Sequence, residues 1–112
     1  MHDLHWSPAE KKMAHAAFEA AVTRELAAIR REIEAMLQGS SDPGEIWEIH
    51  DYLSDKRREF DRKYDFRYSV LISVFARLLA EGWLTTTDLT GLGPEKLQLI
   101  RHHSAVWTRI DA

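Results

Sequence analysis

The chain has 112 residues, 45% of them apolar and 29% charged, which suits one folded domain and leaves little room for a second. Fifteen Lys and Arg against eighteen Asp and Glu give a net charge of −3, so no global field draws the chain to nucleic acid or anionic lipid. The absence of cysteine removes disulfides, thiol nucleophiles and thiolate metal sites together, and fits a cytoplasmic protein. Met1 to Trp6 carry no basic patch followed by an apolar stretch, and the longest apolar run, Val70 to Ala80, is broken by Ser73 and Arg77. Neither a signal peptide nor a membrane span is expected.

The first helix is announced at Ser7, a cap, with Pro8 at the first helical position and Glu10 completing a capping box. Apolar residues then recur at Phe18, Val22, Leu26, Ile29, Ile33 and Met36, one coiled-coil-like seam that ends at Gly39 and Ser40. A helix from Pro8 to Gln38 extends roughly 46 Å. A compact globule of this chain length has a radius of gyration of only roughly 13 Å. The spacing therefore predicts an elongated hairpin, with a second copy of the chain covering the seam. Asp42, Pro43 and Glu45 repeat the start signal, and a second helix follows with Ile46, Ile49, Leu53, Phe60 and Tyr64 on one face. The short connection makes the two helices antiparallel neighbours. Trp47 and Tyr52 widen the apolar surface beyond what one partner helix covers.

A third helix is expected from Phe66 to Glu81, apolar nearly all round and so the most buried, with Gly82 ending it. Thr85 to Asp88 carries turn and cap chemistry, and a last helix runs from Pro94 toward Thr108 with Leu97, Ile100 and Trp107 inward. The only β-branched run, Thr85 to Thr87, is too short and polar for a sheet. The fold expected is all-α: one domain over residues 1–112, a long antiparallel hairpin (1–65) carrying a small helical head (66–112), dimeric.

No catalytic residue, cofactor or metal site is expected. Among His15, His50, His102 and His103 on the expected helices no pair falls at i, i+3 or i, i+4 spacing, His2 and His5 lie on the terminus ahead of the first helix, and His50 and Asp51, being adjacent, diverge to different faces. Nucleophile elbows and phosphate-cradling glycine loops are absent from the pattern. Arg57 with Asp61, and Glu59 with Lys63, sit at i, i+4 and read as a solvated ion-paired face. Thr90 to Lys96, with Gly91, Gly93 and Pro94, is similar to the hairpin of helix-hairpin-helix DNA-binding modules. Glu95 and Asp88 flank it, so nucleic acid is not favoured as a partner.

The run Trp47-Glu48-Ile49-His50-Asp51-Tyr52-Leu53-Ser54, continuing through Arg57, Glu59, Phe60, Asp61, Lys63, Tyr64 and Asp65, carries a further reading. It closely resembles the signature of the fluorescence recovery protein family, Trp-x-x-His-Asp-Phe-Leu-Ser running into Arg-x-Glu-Ile-Asp-x-Lys-Tyr-Asp. Trp6-Ser7, Ala14-His15, Phe18, Arg24-Glu25-Leu26 and Val74-Phe75-Ala76 extend the likeness over nearly the whole chain. The resemblance implies a non-enzymatic helical homodimer that binds the light-activated orange carotenoid protein, chiefly its C-terminal domain. Binding would speed that partner's return to the resting form and end antenna quenching. It further implies dimer and functional-surface roles for Trp47, His50, Asp51, Arg57 and Asp61, and a partner-contacting head, where Phe75 and Leu99 lie. The chain departs from the family pattern at Ser73, where an aromatic is common, and in its histidine-rich tail after Ile100. An interaction protein of the same fold with an unknown client is the alternative.

Overall fold

A computed structural model of the protein describes residues 4–111, with no side-chain description for 110 and 111. His2 lies outside the described residues. The described chain is helical: α1 (Pro8–Gln38), α2 (Glu45–Lys63), α3 (Leu71–Glu81), a 3₁₀ turn at Thr87–Leu89, and α4 (Pro94–Asp111).

The start of α1 is the capping box read from the sequence. Ser7 Oγ accepts from the Glu10 amide at 3.1 Å and Glu10 Oε1 accepts from the Ser7 amide at 3.0 Å. The start of α2 differs from expectation. Asp42 Oδ1 accepts from the Gly44 amide at 3.0 Å, which builds a tight turn before the helix and leaves Gly44, not Asp42, at the cap position. The antiparallel pairing of α1 and α2 is fixed by Tyr52, which donates to Glu32, and by Lys63 and Tyr64, which both reach Glu25.

Helix α3 begins at Leu71 rather than Phe66. Residues 66–70 turn instead, because Phe66 and Tyr68 join a chain of rings: Trp6 to Tyr68 at 5.5 Å, Tyr68 to Phe66 at 5.5 Å and Phe66 to Phe18 at 4.9 Å. Seating these rings edge to face over α1 outweighs one more turn of helix. Gly82, at φ 86°, ends α3 in a left-handed residue, with Gly82 N bonded to Leu79 O and Trp83 N to Leu78 O.

The core joins α3 and α4 to the first half of α1. Leu71, Phe75, Leu78, Leu84, Leu89 and Ile100 are fully buried against Trp6, Ala14, Ala17 and Ala21. The buried face of α1 is thus a strip of alanines ending at Glu25, spaced three, four and four, which lets the head approach the helix backbone closely. The larger apolar seam from Phe18 to Met36 is covered only in part, with Leu26 half exposed. The molecule measures 53 × 29 × 23 Å with a radius of gyration of 16.7 Å, the elongation that the length of α1 demands.

Candidate functional site

Five residues singled out from the sequence lie on α2. Their offsets from Trp47, three, four, ten and fourteen, place His50, Asp51, Arg57 and Asp61 within roughly a third of the helix circumference. That face is opposite Ile49 and Lys63, both buried, so it points away from the rest of the chain. Trp47 is 69% exposed, and its ring meets His50 edge-on with centroids 6.2 Å apart. His50 and Asp51 do not diverge as their adjacency suggested. His50 Nδ1 lies 3.4 Å from Asp51 Oδ1, because both side chains are free to bend together in solvent. One turn and a half further on, Arg57 Nε donates to both Asp61 oxygens at 3.2 and 3.0 Å. The surface thus alternates indole, imidazole, carboxylate and guanidinium along one open edge. No group of three or more His, Asp or Glu among the described residues is placed to hold a metal ion.

The two head residues separate. Phe75 is fully buried in the core of the head, where the described chain leaves it no exposed surface. Leu99 is half-buried on α4.

Two ionic clusters hold the head, the first tying it to the end of α2, and sequence reasoning missed both. Lys63, expected to pair with Glu59 in solvent, instead turns inward. Its Nζ lies 2.7 Å from Glu25 and 2.7 Å from Glu81, with its side chain almost wholly buried. Tyr64 donates to Glu25 at 2.8 Å, and Trp83 Nε1 donates to Glu81 at 3.1 Å. Burial, with Glu25 and then Glu81 close by, pushes the Tyr64 hydroxyl well above its ordinary range, so it stays a donor. Burial would raise the Glu81 carboxyl, but the hydrogen bonds from Lys63 and Arg77 carry it below its ordinary value.

The second cluster closes the far end of the head. Glu10, besides capping α1, accepts from the Gly93 amide at 2.9 Å and from Lys96 Nζ at 3.2 Å. Lys96 also donates to the His5 carbonyl at 2.6 Å and sits 5.0 Å from the Trp6 ring centre. The Ser7 and Gly93 amides hold the Glu10 carboxyl down at about 2. The hairpin amide that a DNA phosphate would need is therefore filled by this protein's own carboxylate, and the nearby cation is buried. The signal for Glu25 was present in its spacing from Ala14, Ala17 and Ala21 on the buried strip. Lys63 carried none, because Glu59 one turn back satisfied the local rule.

Residues 6–104 match the family described as the photoprotection regulator fluorescence recovery protein. The chain belongs to that family. It is 43% identical over 96 residues to the fluorescence recovery protein of Synechocystis sp., an alignment covering 86% of this chain and 88% of that one. The Fremyella diplosiphon fluorescence recovery protein structure superposes with a TM-score of 0.83 at 42% identity, covering 90% of this chain and 99% of that chain. The structure from Synechocystis sp. PCC 6803 superposes with a TM-score of 0.84 at 40% identity over the same shares. Family membership makes the chain a photoprotection regulator, and its all-helical fold is the fold of these relatives. Among the described residues, no helix is long and apolar enough to cross a membrane.

Proposed function

We propose that this protein is a cytoplasmic, non-enzymatic homodimer that binds the light-activated orange carotenoid protein and accelerates its return to the resting form. The observation that carries the reading is membership of the fluorescence recovery protein family across residues 6–104. The open face of α2 supports it. Trp47, Ile46 and Leu53 expose large apolar surfaces on a helix flanked by paired charges, the mixture found at the centre of protein interfaces. Leu26 and Leu37 on α1 continue the exposed apolar band, which a second copy would cover.

Acceleration without covalent chemistry requires that the protein hold the client more tightly in the transition arrangement than in the separated one. The rate must then saturate with concentration as a binding isotherm does. The test is dark recovery of a red, activated carotenoid protein followed by absorbance as this protein is added. A saturable shortening that needs no nucleotide, metal or light is expected. Leu99→Glu on the head should weaken the effect more than Ser41→Ala at the hairpin tip, and Arg57→Glu should weaken it with helicity intact. Recovery at the unassisted rate with every client tried, the protein being in excess, would end this reading.

A further inference from the structure

Two clefts open side by side where the end of α2 meets α3. The first, of about 200 Å³, has Val70, Ser73, Val74 and Trp107 on its walls together with Arg62 and Arg77. The second, of about 330 Å³, runs on between Arg58 and Glu59 and is bounded by the same Arg62 and Arg77. The two clefts share Arg62 and Arg77 and together make a groove, with apolar residues only on the first and Asp55 among the charged residues of the second.

The two arginines are in different states, and both suit an incoming anion. Arg77 is held in place. Its Nε donates to Glu81 Oε2 at 2.8 Å, and the Trp107 ring centre lies 5.0 Å from its central carbon. The nearest other acid, Glu59, stands 3.9 Å from its terminal nitrogen, beyond hydrogen-bond reach. The outer edge of the fork thus keeps Glu59 as a long ion-pair neighbour and makes no hydrogen bond to it. Arg62 has no acidic side chain within ion-pairing distance among the described residues. Asp65, on the same cleft wall, spends both oxygens on Arg67 at 2.9 and 3.0 Å. Arg58 is paired with Asp55. A guanidinium fixed by a stacked ring and a salt bridge loses little further freedom on binding a carboxylate, and Arg is the side chain whose geometry matches that group.

We propose that this groove is a binding site for an acidic segment of the protein client. Carboxylate side chains sit on Arg62 and Arg77, and a neighbouring apolar residue rests against Val70, Val74 and Trp107. The proposal rests on the reading that the chain works by binding a protein. The commitment to an acidic segment comes from charge. The chain as a whole is −3, so a site with two available guanidinium edges stands out locally and acts at contact range. Trp107 lies beyond the family-matched residues 6–104, so the wall it builds is one that family membership does not dictate. We assign to it the selection of which acidic sequence is accepted.

The experiment is a nuclear magnetic resonance titration of the full-length, isotope-labelled protein with a blocked hexapeptide of alternating glutamate and leucine. The same peptide with glutamine for glutamate is the control. Saturable shifts are expected at the Trp107 indole N–H and at the Arg62 and Arg77 Nε–H signals, with binding by the control weaker by about tenfold for each of the two charge-assisted contacts it loses. Arg62→Glu, at an exposed position, and Trp107→Phe, which keeps a ring at this half-buried edge of the core but removes the indole, should each weaken the glutamate peptide while the helical circular dichroism is unchanged. Absence of shifts at these three signals, or equal shifts from both peptides, overturns the proposal. A client whose recovery is accelerated equally by wild type and both variants also overturns it, and leaves the recovery function standing. If wild type accelerates no client, the recovery function fails and the peptide titration alone decides the groove.

Discussion

Lys63 is the residue whose environment departs most from its local pattern. An ammonium with almost no exposure is tolerable only because Glu25 and Glu81 both face it, and each of the three is costly to leave without the others. Lys63→Met should therefore destabilise the protein by about 3 kcal/mol in urea unfolding, since it strands two carboxylates near one another. The double replacement Glu25→Leu with Lys63→Met should recover much of that loss. If the single variant is as stable as wild type, the cluster contributes nothing. Glu10 gives a pH signature. Its carboxyl is lowered from 4.5 to about 2 in the folded state, so the unfolded chain takes up the proton first as pH falls. The stability it contributes is complete above its ordinary value and is lost as pH drops toward 2. Asp88, lowered from 3.8 to about 2 by the Arg24 hydrogen bond and the Thr85 amide, acts in the same direction. Melting temperature should fall over that acid range, and Glu10→Gln should lower it at neutral pH while making the acid loss shallower. An unchanged acid slope in that variant would remove Glu10 as a cause.

At the level of elements, the ends of helices were legible wherever one side chain decides them. Ser7, Pro8 and Glu10 start α1 as read, and Gly82 stops α3 because a left-handed residue is needed there. Nothing lies within 4 Å of a Cβ built on Gly82, so Gly82→Ala isolates the backbone cost. It should destabilise the protein by about 1–2 kcal/mol, read as a lower urea midpoint with unchanged slope. The start of α3 was not legible, because Phe66 and Val70 continue a helical apolar pattern while ring packing with Phe18 and Tyr68 decides the backbone. The face of α1 was half legible. Large residues from Phe18 to Met36 announced a seam, but the head packs on Ala14, Ala17 and Ala21, and alanine is too common in helices to mark a contact. On α2, Trp47, His50, Asp51, Arg57 and Asp61 were singled out by the family resemblance, and spacing had set His50 apart from Asp51, although helical geometry places all five within one open third of the helix. Phe75 could not be sorted from Leu99 without knowing which side of the head faces solvent.

For the whole molecule, the extent of 53 Å against a radius of gyration of 16.7 Å describes a rod bearing a head, and a rod of one hairpin leaves apolar residues uncovered. Leu26, Leu37, Ile46, Trp47 and Leu53 are all at least two-fifths exposed. Sedimentation equilibrium at tens of micromolar should return the mass of two chains, and Leu53→Glu should shift it toward one with helical content preserved. A single-chain mass for wild type would rule the dimer out. The clasp between Lys96 and the His5 carbonyl has another consequence, for the order in which the molecule is made. These groups are 91 positions apart, and the core they close sets Trp6 and Ala14 against Ile100. The hairpin, built from near neighbours, can form on the ribosome as soon as its two helices emerge. The head cannot, because the core over the alanine strip of α1 is complete only when α3, the 3₁₀ turn and α4 have all emerged. During synthesis the chain therefore carries a finished rod whose future head contact is bare, and the hairpin's exposed leucines are free to find another nascent copy before the head exists.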